Sequence, residues 1–230
     1  MTLDVIAIDG GAATGKTTTA SRVAARLGFC YVDSGAIYRA LAFALRRMGH
    51  EDPEALEAEA LTEALMGIHI EVEPLPERFV VRLDGREVGP EIRTPEISAA
   101  SSRVARLSQV RARVRELVRG AARLGSLVVE GRDIGTVVFP DARLKVFLTA
   151  DLEVRALRRQ HDLRRQGREL PLAEVERELE ERDRRDTTRA ESPLRQADGA
   201  LVVPTWPGTV DDQVDAIVRA YRALDAETET

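Results

Sequence analysis

The chain has 230 residues, 43% hydrophobic and 32% charged, enough for one sizeable domain or one domain with an insert. A net charge of −5 argues against general nucleic-acid binding, so any anion site must come from local arginine clustering. The lone Cys30 excludes an internal disulfide, no Cys/His cluster offers a metal site, and no apolar run is long enough to span a bilayer. The apolar run from Leu3 to Ile8 predicts a first strand. Gly10 to Thr17 then reads G-x-x-x-x-G-K-[ST], and Ala20, Val23, Ala24 and Leu27 follow at helical spacing. Strand, glycine-rich loop and helix together make a phosphate nest. Gly10 and Gly15 let the backbone turn its N–H groups inward at a helix N-terminus. Lys16 reaches β- and γ-phosphates, and the Thr17 hydroxyl suits Mg²⁺. Of thirty-four basic residues only Lys16 and Lys145 are lysines, so lysine is kept where a compact ammonium suits phosphate.

Phe29 to Val32 predicts a second strand, ending in Asp33-Ser34-Gly35 before a helix with Ile37, Leu41, Ala44 and Leu45 on one face. Polar groups at such a strand end sit where open α/β sheets bind ligands; Arg39, one turn on, reads equally as a solvated helix cation. A helix is predicted over Pro53 to Met66. The period then changes to two at Ile68, Ile70 and Val72, with Phe79 to Leu83 and Glu87-Val88 beyond a tight Asp84-Gly85 turn. This antiparallel patch is expected to be an insert over 68–92; the plainer alternative is a hairpin extension without a role. Thr94-Pro95 starts a long helical region to about Leu124, broken near Leu107-Ser108. Leu127 to Val129 predicts a third strand, with Glu130-Gly131-Arg132-Asp133 at its end.

Pro140-Asp141 marks a turn and Leu144 to Leu148 a fourth strand. A helix from about Asp151 carries Arg155, Arg158, Arg159, Arg164 and Arg165, and a second charged helix runs from Leu172 to Asp186. Such arginine density is either a solvated face or a mobile lid that brings cations to a closing site. Ala200 to Val203 predicts a fifth strand, Val210 to Leu224 an amphipathic helix, and 226–230 a disordered tail. The fold class is therefore α/β: a parallel five-stranded sheet with helices on both faces, a small antiparallel β insert and a helical, arginine-rich lid. The core is expected over 1–67 and 93–225, with the lid at 155–170. With no leader pattern at its start, a cytoplasmic enzyme is the expectation. No Asn-Lys-x-Asp guanine reader is present, which favours a small-molecule kinase over a GTPase.

Several of these segments resemble the bacterial cytidylate (CMP/dCMP) kinases, of the nucleoside-monophosphate kinase branch of P-loop NTPases. They are Ile8-Asp9-Gly10 with Gly15-Lys16, Asp33 to Arg39, Gly131 to Ala142 and Glu181 to Asp186, and the resemblance spans Val5 to Tyr221. It implies ATP as phosphoryl donor, Mg²⁺ as cofactor, CMP and dCMP as small-molecule acceptors, no nucleic-acid or membrane partner, and a monomer. The phosphate loop Gly10, Gly11, Ala12, Ala13, Thr14, Gly15, Lys16, Thr17 and Thr18 would hold ATP, with Thr17 on the metal. Arg39 and Arg132 resemble clamps on the CMP phosphate, and Ser34 another contact near it. Ser102, Arg111 and Asp133 resemble cytosine readers, Asp186 and Arg189 the holders of the sugar. Lys16 and Arg132, with the lid arginines Arg155, Arg158, Arg159 and Arg182, would meet the transferring phosphoryl group. Glu130 or Asp33 would reach the metal through water. The loop departs from the family pattern, which commonly has Pro after the first Gly and another Gly further along, where this chain has Gly11, Ala12 and Ala13. Pro204-Thr205-Trp206-Pro207-Gly208 replaces polar residues on the adenine side. A kinase for UMP or a non-nucleotide hydroxyl, and a nucleotide-dependent switch, are the alternatives.

Overall fold

A computed structural model describes residues 4–76 and 78–228. Among these, five strands form one parallel sheet: β1 (Val5–Gly10), β2 (Cys30–Asp33), β6 (Leu127–Gly131), β7 (Leu144–Thr149) and β8 (Leu201–Pro204), in the order β2-β6-β1-β7-β8. β1 lies at the centre, with Asp9 opposite Gly131 on one side and Phe147 on the other. Every residue of β1 is buried, as expected of a strand covered on both faces. Strand alternation divides the core. Ala7, Val32 and Val129 face one apolar cluster, and Ile6, Ile8, Val128 and Val146 face the other.

The second face is covered by α1 (Lys16–Leu27) and α8 (Val210–Thr228) through Val23, Ala24, Val214 and Ile217. The first takes α2 (Ser34–Arg47), α3 (Ala58–Met66), α4 (Pro95–Val104) and α5 (Ser108–Ala121). Local chemistry sets these boundaries. Asp33 caps α2 by accepting the Ala36 N–H, Thr94 caps α4 by accepting the Ile97 N–H, and Gly28 ends α1 at φ 69°. The predicted break near Leu107-Ser108 falls between α4 and α5, and a 3₁₀ turn over Ala122–Leu124 completes the region.

β3 (Ile70–Pro74), β4 (Phe79–Leu83) and β5 (Arg86–Val88) form a separate antiparallel sheet. Asp84 and Gly85, at φ 52° and 76°, make the tight turn between β4 and β5. Ile70, Val81, Leu83 and Val88 join the core cluster of α2 to α5, so this sheet shares the main core. A single antiparallel bridge, Tyr31 with Leu75, ties it to β2.

Helices α6 (Leu152–Arg165) and α7 (Leu172–Thr188) pack on one another through Ala156, Leu163, Val175 and Leu179, and this small cluster also takes in Ala12 of the phosphate loop.

The larger differences from the sequence expectations are these. β1 runs on to Gly10, and Leu3 lies outside the described residues. The helix expected over Pro53 to Met66 splits, because Leu56 and Glu57 are extended and Leu56 packs against the core. α8 continues to Thr228, beyond the start of the expected tail; residues 229–230 lie outside the described residues. Ile134–Val138, read as no element, is a π-helical turn.

Candidate active site

The carboxyl ends of β1, β2 and β6 converge with α6 and α7 on a cavity of about 760 Å³. Its floor is the phosphate loop. A Cβ on Gly10 would stand 2.5 Å from the Leu148 carbonyl oxygen, so only glycine fits there. Gly15 turns into α1 at φ 94°, and Ala13 takes the left-handed conformation at φ 58°. For an alanine that conformation costs about 1 kcal/mol. Ala13→Gly is therefore expected to stabilise the protein by up to about that amount, a rise of some 2–4 °C in Tm. A calorimetric Tm below wild type would contradict it.

Lys16 opens α1 and is buried, with Nζ donating to the Gly11 carbonyl at 2.5 Å and to Thr14 Oγ1 at 3.2 Å. Burial, with the Arg132 and Arg182 charges, pushes its pKa down to about 7 against the pull of Glu130. An ammonium so placed is short of negative charge.

At the end of β2 the Asp33 carboxylate divides its work. Oδ1 caps α2, while Oδ2 takes Arg39 Nη2 at 2.8 Å and stands 3.6 Å from Arg93 Nη2. Ser34 Oγ donates to the Glu130 carbonyl at 2.7 Å, tying the ends of β2 and β6 together. The next residue, Gly131, has no room for a side chain: a Cβ would meet Ile134 Cδ1 at 2.6 Å and Ser34 Oγ at 2.8 Å. Burial and the Asp33 charge raise the Glu130 pKa, opposed by Lys16 and by hydrogen bonds from Tyr31 and Thr17. Tyr31, which sequence reasoning gave no part in the site, donates its hydroxyl to Glu130 Oε1.

One flank of the cavity carries the Arg111–Asp133 ion pair, at 3% and 6% side-chain exposure. Arg111 Nη1 also donates to the Ala105 carbonyl at 3.1 Å, and its guanidinium lies 6.0 Å from the Tyr38 ring centre. Arg189 Nη2 stands 3.8 Å from the other oxygen of Asp133, while its Nε donates to the Ser192 carbonyl at 2.6 Å. Ser102 Oγ lies beside them, buried and without a hydrogen-bond partner.

Between this flank and the loop lies a cluster of arginines. Arg132 Nε donates to Asp186 Oδ2 at 3.0 Å. Burial alone would raise the Asp186 pKa, but Arg132 and Arg182 bring it below the usual carboxylate range. Arg182 is pushed down to about 10 by burial and by Arg132, Arg39 and Arg159, with Asp186 pulling the other way. Arg39, Arg132, Arg159 and Arg182, gathered on one cavity, form a socket for an anion.

The predicted residues are brought together with a few exceptions. Ala12 to Thr18, Ser34, Arg39, Ser102, Arg111, Arg132, Asp133, Arg158, Arg159, Arg182, Asp186 and Arg189 all line the cavity. Gly10 and Gly11 lie outside the lining, with the Gly11 carbonyl accepting from Lys16. Arg155 does not line it; its guanidinium pairs with Asp183 and donates to the Ala12 and Ala150 carbonyls. Nor does any described residue of 68–92, whereas Ser101 and Ser102 of α4 and Ala105 just after it do. Arg158 donates to Thr205 Oγ1 at 2.9 Å and to the Thr205 carbonyl at 2.7 Å. Thr205, which the sequence places in the adenine-side segment without a role, is fully buried.

Among the described residues no three His, Cys, Asp or Glu side chains gather to hold a metal, and no helix is long and apolar enough to cross a membrane. The cavity instead offers the Thr17 hydroxyl, hydrogen-bonded to Glu130. That donor set fits Mg²⁺ arriving on phosphates and still largely hydrated.

A family model described as cytidylate kinase matches residues 6–223. A cytidylate kinase of Paraburkholderia phymatum is 43% identical over 220 residues, covering 96% of this chain and 93% of that protein. One from Chromobacterium violaceum is 40% identical over 231 residues, covering 98% and 99%. A bifunctional pantoate ligase/cytidylate kinase of Synechococcus sp. (strain CC9311) is 44% identical over 220 residues, and there the chain spans only 44% of the relative's length.

Proposed function

Because the chain belongs to the cytidylate kinase family, we propose that it transfers the γ-phosphoryl group of ATP to CMP or dCMP, giving CDP or dCDP and ADP. The observation that carries this reading is the order of groups across one cavity: phosphate loop, arginine socket, then the buried Arg111–Asp133 pair. They suit in turn a triphosphate, a phosphate between the two nucleotides, and a base with both a donor and acceptors.

An oxygen of the CMP 5′-phosphate attacks the γ-phosphorus, and the bond from that phosphorus to the ADP leaving oxygen breaks. The attacking oxygen is already ionised, so no strong general base is required. Lys16 and the N–H groups of the loop hold the donor phosphates. Arg39 and Arg132 orient the acceptor phosphate. Arg158, Arg159 and Arg182 neutralise charge on the phosphoryl group in flight, which is where stabilisation accelerates the step. Arg155, bound to Asp183 and to the loop carbonyl of Ala12, positions the lid helices against the loop. Thr17 would hold Mg²⁺, which would supply further charge neutralisation. Ser102, Arg111 and Asp133 read cytosine, and Asp186 and Arg189 hold the sugar. All these residues belong to one chain, so a monomer is complete for the reaction.

In this reading the core comprises 1–67 and 93–225, residues 155–170 form a lid, and 68–92 support the acceptor side through α4 rather than by direct contact. The substrates place the enzyme in the cytoplasm. The test is ADP release with CMP, dCMP, UMP, dUMP, AMP and a non-nucleotide alcohol. CMP and dCMP are expected to dominate. ADP release indifferent to every acceptor would mark a nucleotide switch instead.

A further inference from the structure

Asp9 has no part in the chemistry above, yet it is a buried carboxylate at the carboxyl end of β1, next to the phosphate loop. Strand alternation puts it on the same face of β1 as Ala7, towards the acceptor side. Both its oxygens are used. Oδ1 accepts the Ile134 N–H at 2.9 Å and Oδ2 the Gly135 N–H at 2.8 Å. These amides open the π-helical turn that follows Asp133, and Arg132 and Asp133 are the two residues before it. The residue after Asp9 is Gly10, where the phosphate loop begins. Gly135 is packed closely as well: a Cβ there would meet Lys145 Cγ at 3.3 Å and Ala7 Cβ at 3.5 Å.

We propose that Asp9 is a positioning residue that fixes the Arg132-Asp133 segment against the start of the phosphate loop, setting the distance between acceptor and donor. Its two oxygens reproduce in one side chain the pair of acceptors that the start of the turn lacks. The inference rests on the cytidylate reading, because its effect is expressed through Arg132 and Asp133. Burial raises the Asp9 pKa to about 6 against the two amide hydrogen bonds; Asp133 adds to the rise and Lys16 opposes it. Ionised, the carboxylate offers a full acceptor to each amide; protonated, one oxygen becomes a hydroxyl and that hydrogen bond weakens.

The test is Asp9→Asn, assayed beside wild type. An amide side chain accepts from one N–H and turns its own N–H₂ against the other. The KM for CMP is expected to rise at least about tenfold while that for ATP stays within about threefold, since a merely structural lesion would lower Tm without separating the two. Equal changes, or none, would overturn the proposal. Wild type failing to turn over CMP would overturn the cytidylate reading itself, so the two failures are distinct. If Asp9→Asn does not fold, Asp9→Glu decides: it keeps both acceptors but adds a methylene, so the KM for CMP must rise more than that for ATP, and two unchanged constants would overturn the proposal.

Discussion

With wild-type protein, kcat/KM for CMP and dCMP is expected to exceed that for UMP and dUMP at least about a hundredfold. Cytosine presents an amino donor and two acceptors, whereas uracil has an oxygen in place of the amino group and an N–H in place of the ring acceptor. Asp133 is a buried carboxylate that can only accept, and Arg111 a buried guanidinium that can only donate. Each therefore faces the wrong partner when uracil enters. Ser102 Oγ, with no partner of its own, adds an unspent hydroxyl beside them. Asp133→Asn should lower kcat/KM for CMP at least about tenfold and narrow the gap, because the amide can turn its N–H₂ towards the uracil oxygen. It also leaves Arg111 buried beside a neutral group, so Tm should fall. The four acceptors, measured with both proteins, settle the matter. Wild type using UMP within about tenfold of CMP, a gap of about 1.4 kcal/mol, would remove base reading from this pair.

Lys16→Met is expected to lower kcat by at least about 10²–10³ and to leave a protein no less heat-stable than wild type at pH 7. The first effect follows from removing a charge needed most when phosphoryl oxygens are in flight. The second follows from the environment of Lys16. An unfolded lysine keeps its proton to about pH 10, but the folded protein releases it near 7. Between those values folding releases a proton, so this group makes wild-type stability rise with pH, and its penalty is complete below 7. Methionine has similar volume and carries no such penalty. The variant's Tm should therefore show a flatter profile from pH 7 to 10. Near-wild-type turnover would remove Lys16 from the mechanism, and a large loss of Tm would show that its contacts to Gly11 and Thr14 outweigh its burial.

The sheet was legible because its strands are short, apolar and end in polar clusters. Each of the five predicted runs contains the core of an observed strand of the parallel sheet. Caps were legible too, as at Thr94-Pro95, because capping chemistry is local. The π-helical turn after Asp133 was not, since a carboxylate over 120 residues earlier supplies its acceptors. Ser34 shows a similar limit: its motif was visible, but only the fold reveals that its hydroxyl is spent on the Glu130 carbonyl. The pairing of Arg155 with Asp183, and of Arg158 with Thr205, sorts arginines that the helix spacing alone left equivalent. A dense run of arginines specifies charge, while the acidic and hydroxyl groups of other elements decide which of them face a ligand.

The bridge between Tyr31 and Leu75 bears on how the molecule behaves in a crowd. β2 is the outermost strand of the parallel sheet, and an unguarded margin of that kind is a template on which another chain can add a strand. The Tyr31 N–H is already donated to the Leu75 carbonyl at 2.9 Å, and the antiparallel sheet stands over that margin. Residues that contribute nothing to the lining of the cavity thus act as a bumper against fibre-like self-association. The same tyrosine sends its hydroxyl inward to Glu130, so one residue closes the rim of the sheet with its backbone and braces a wall of the cavity with its side chain.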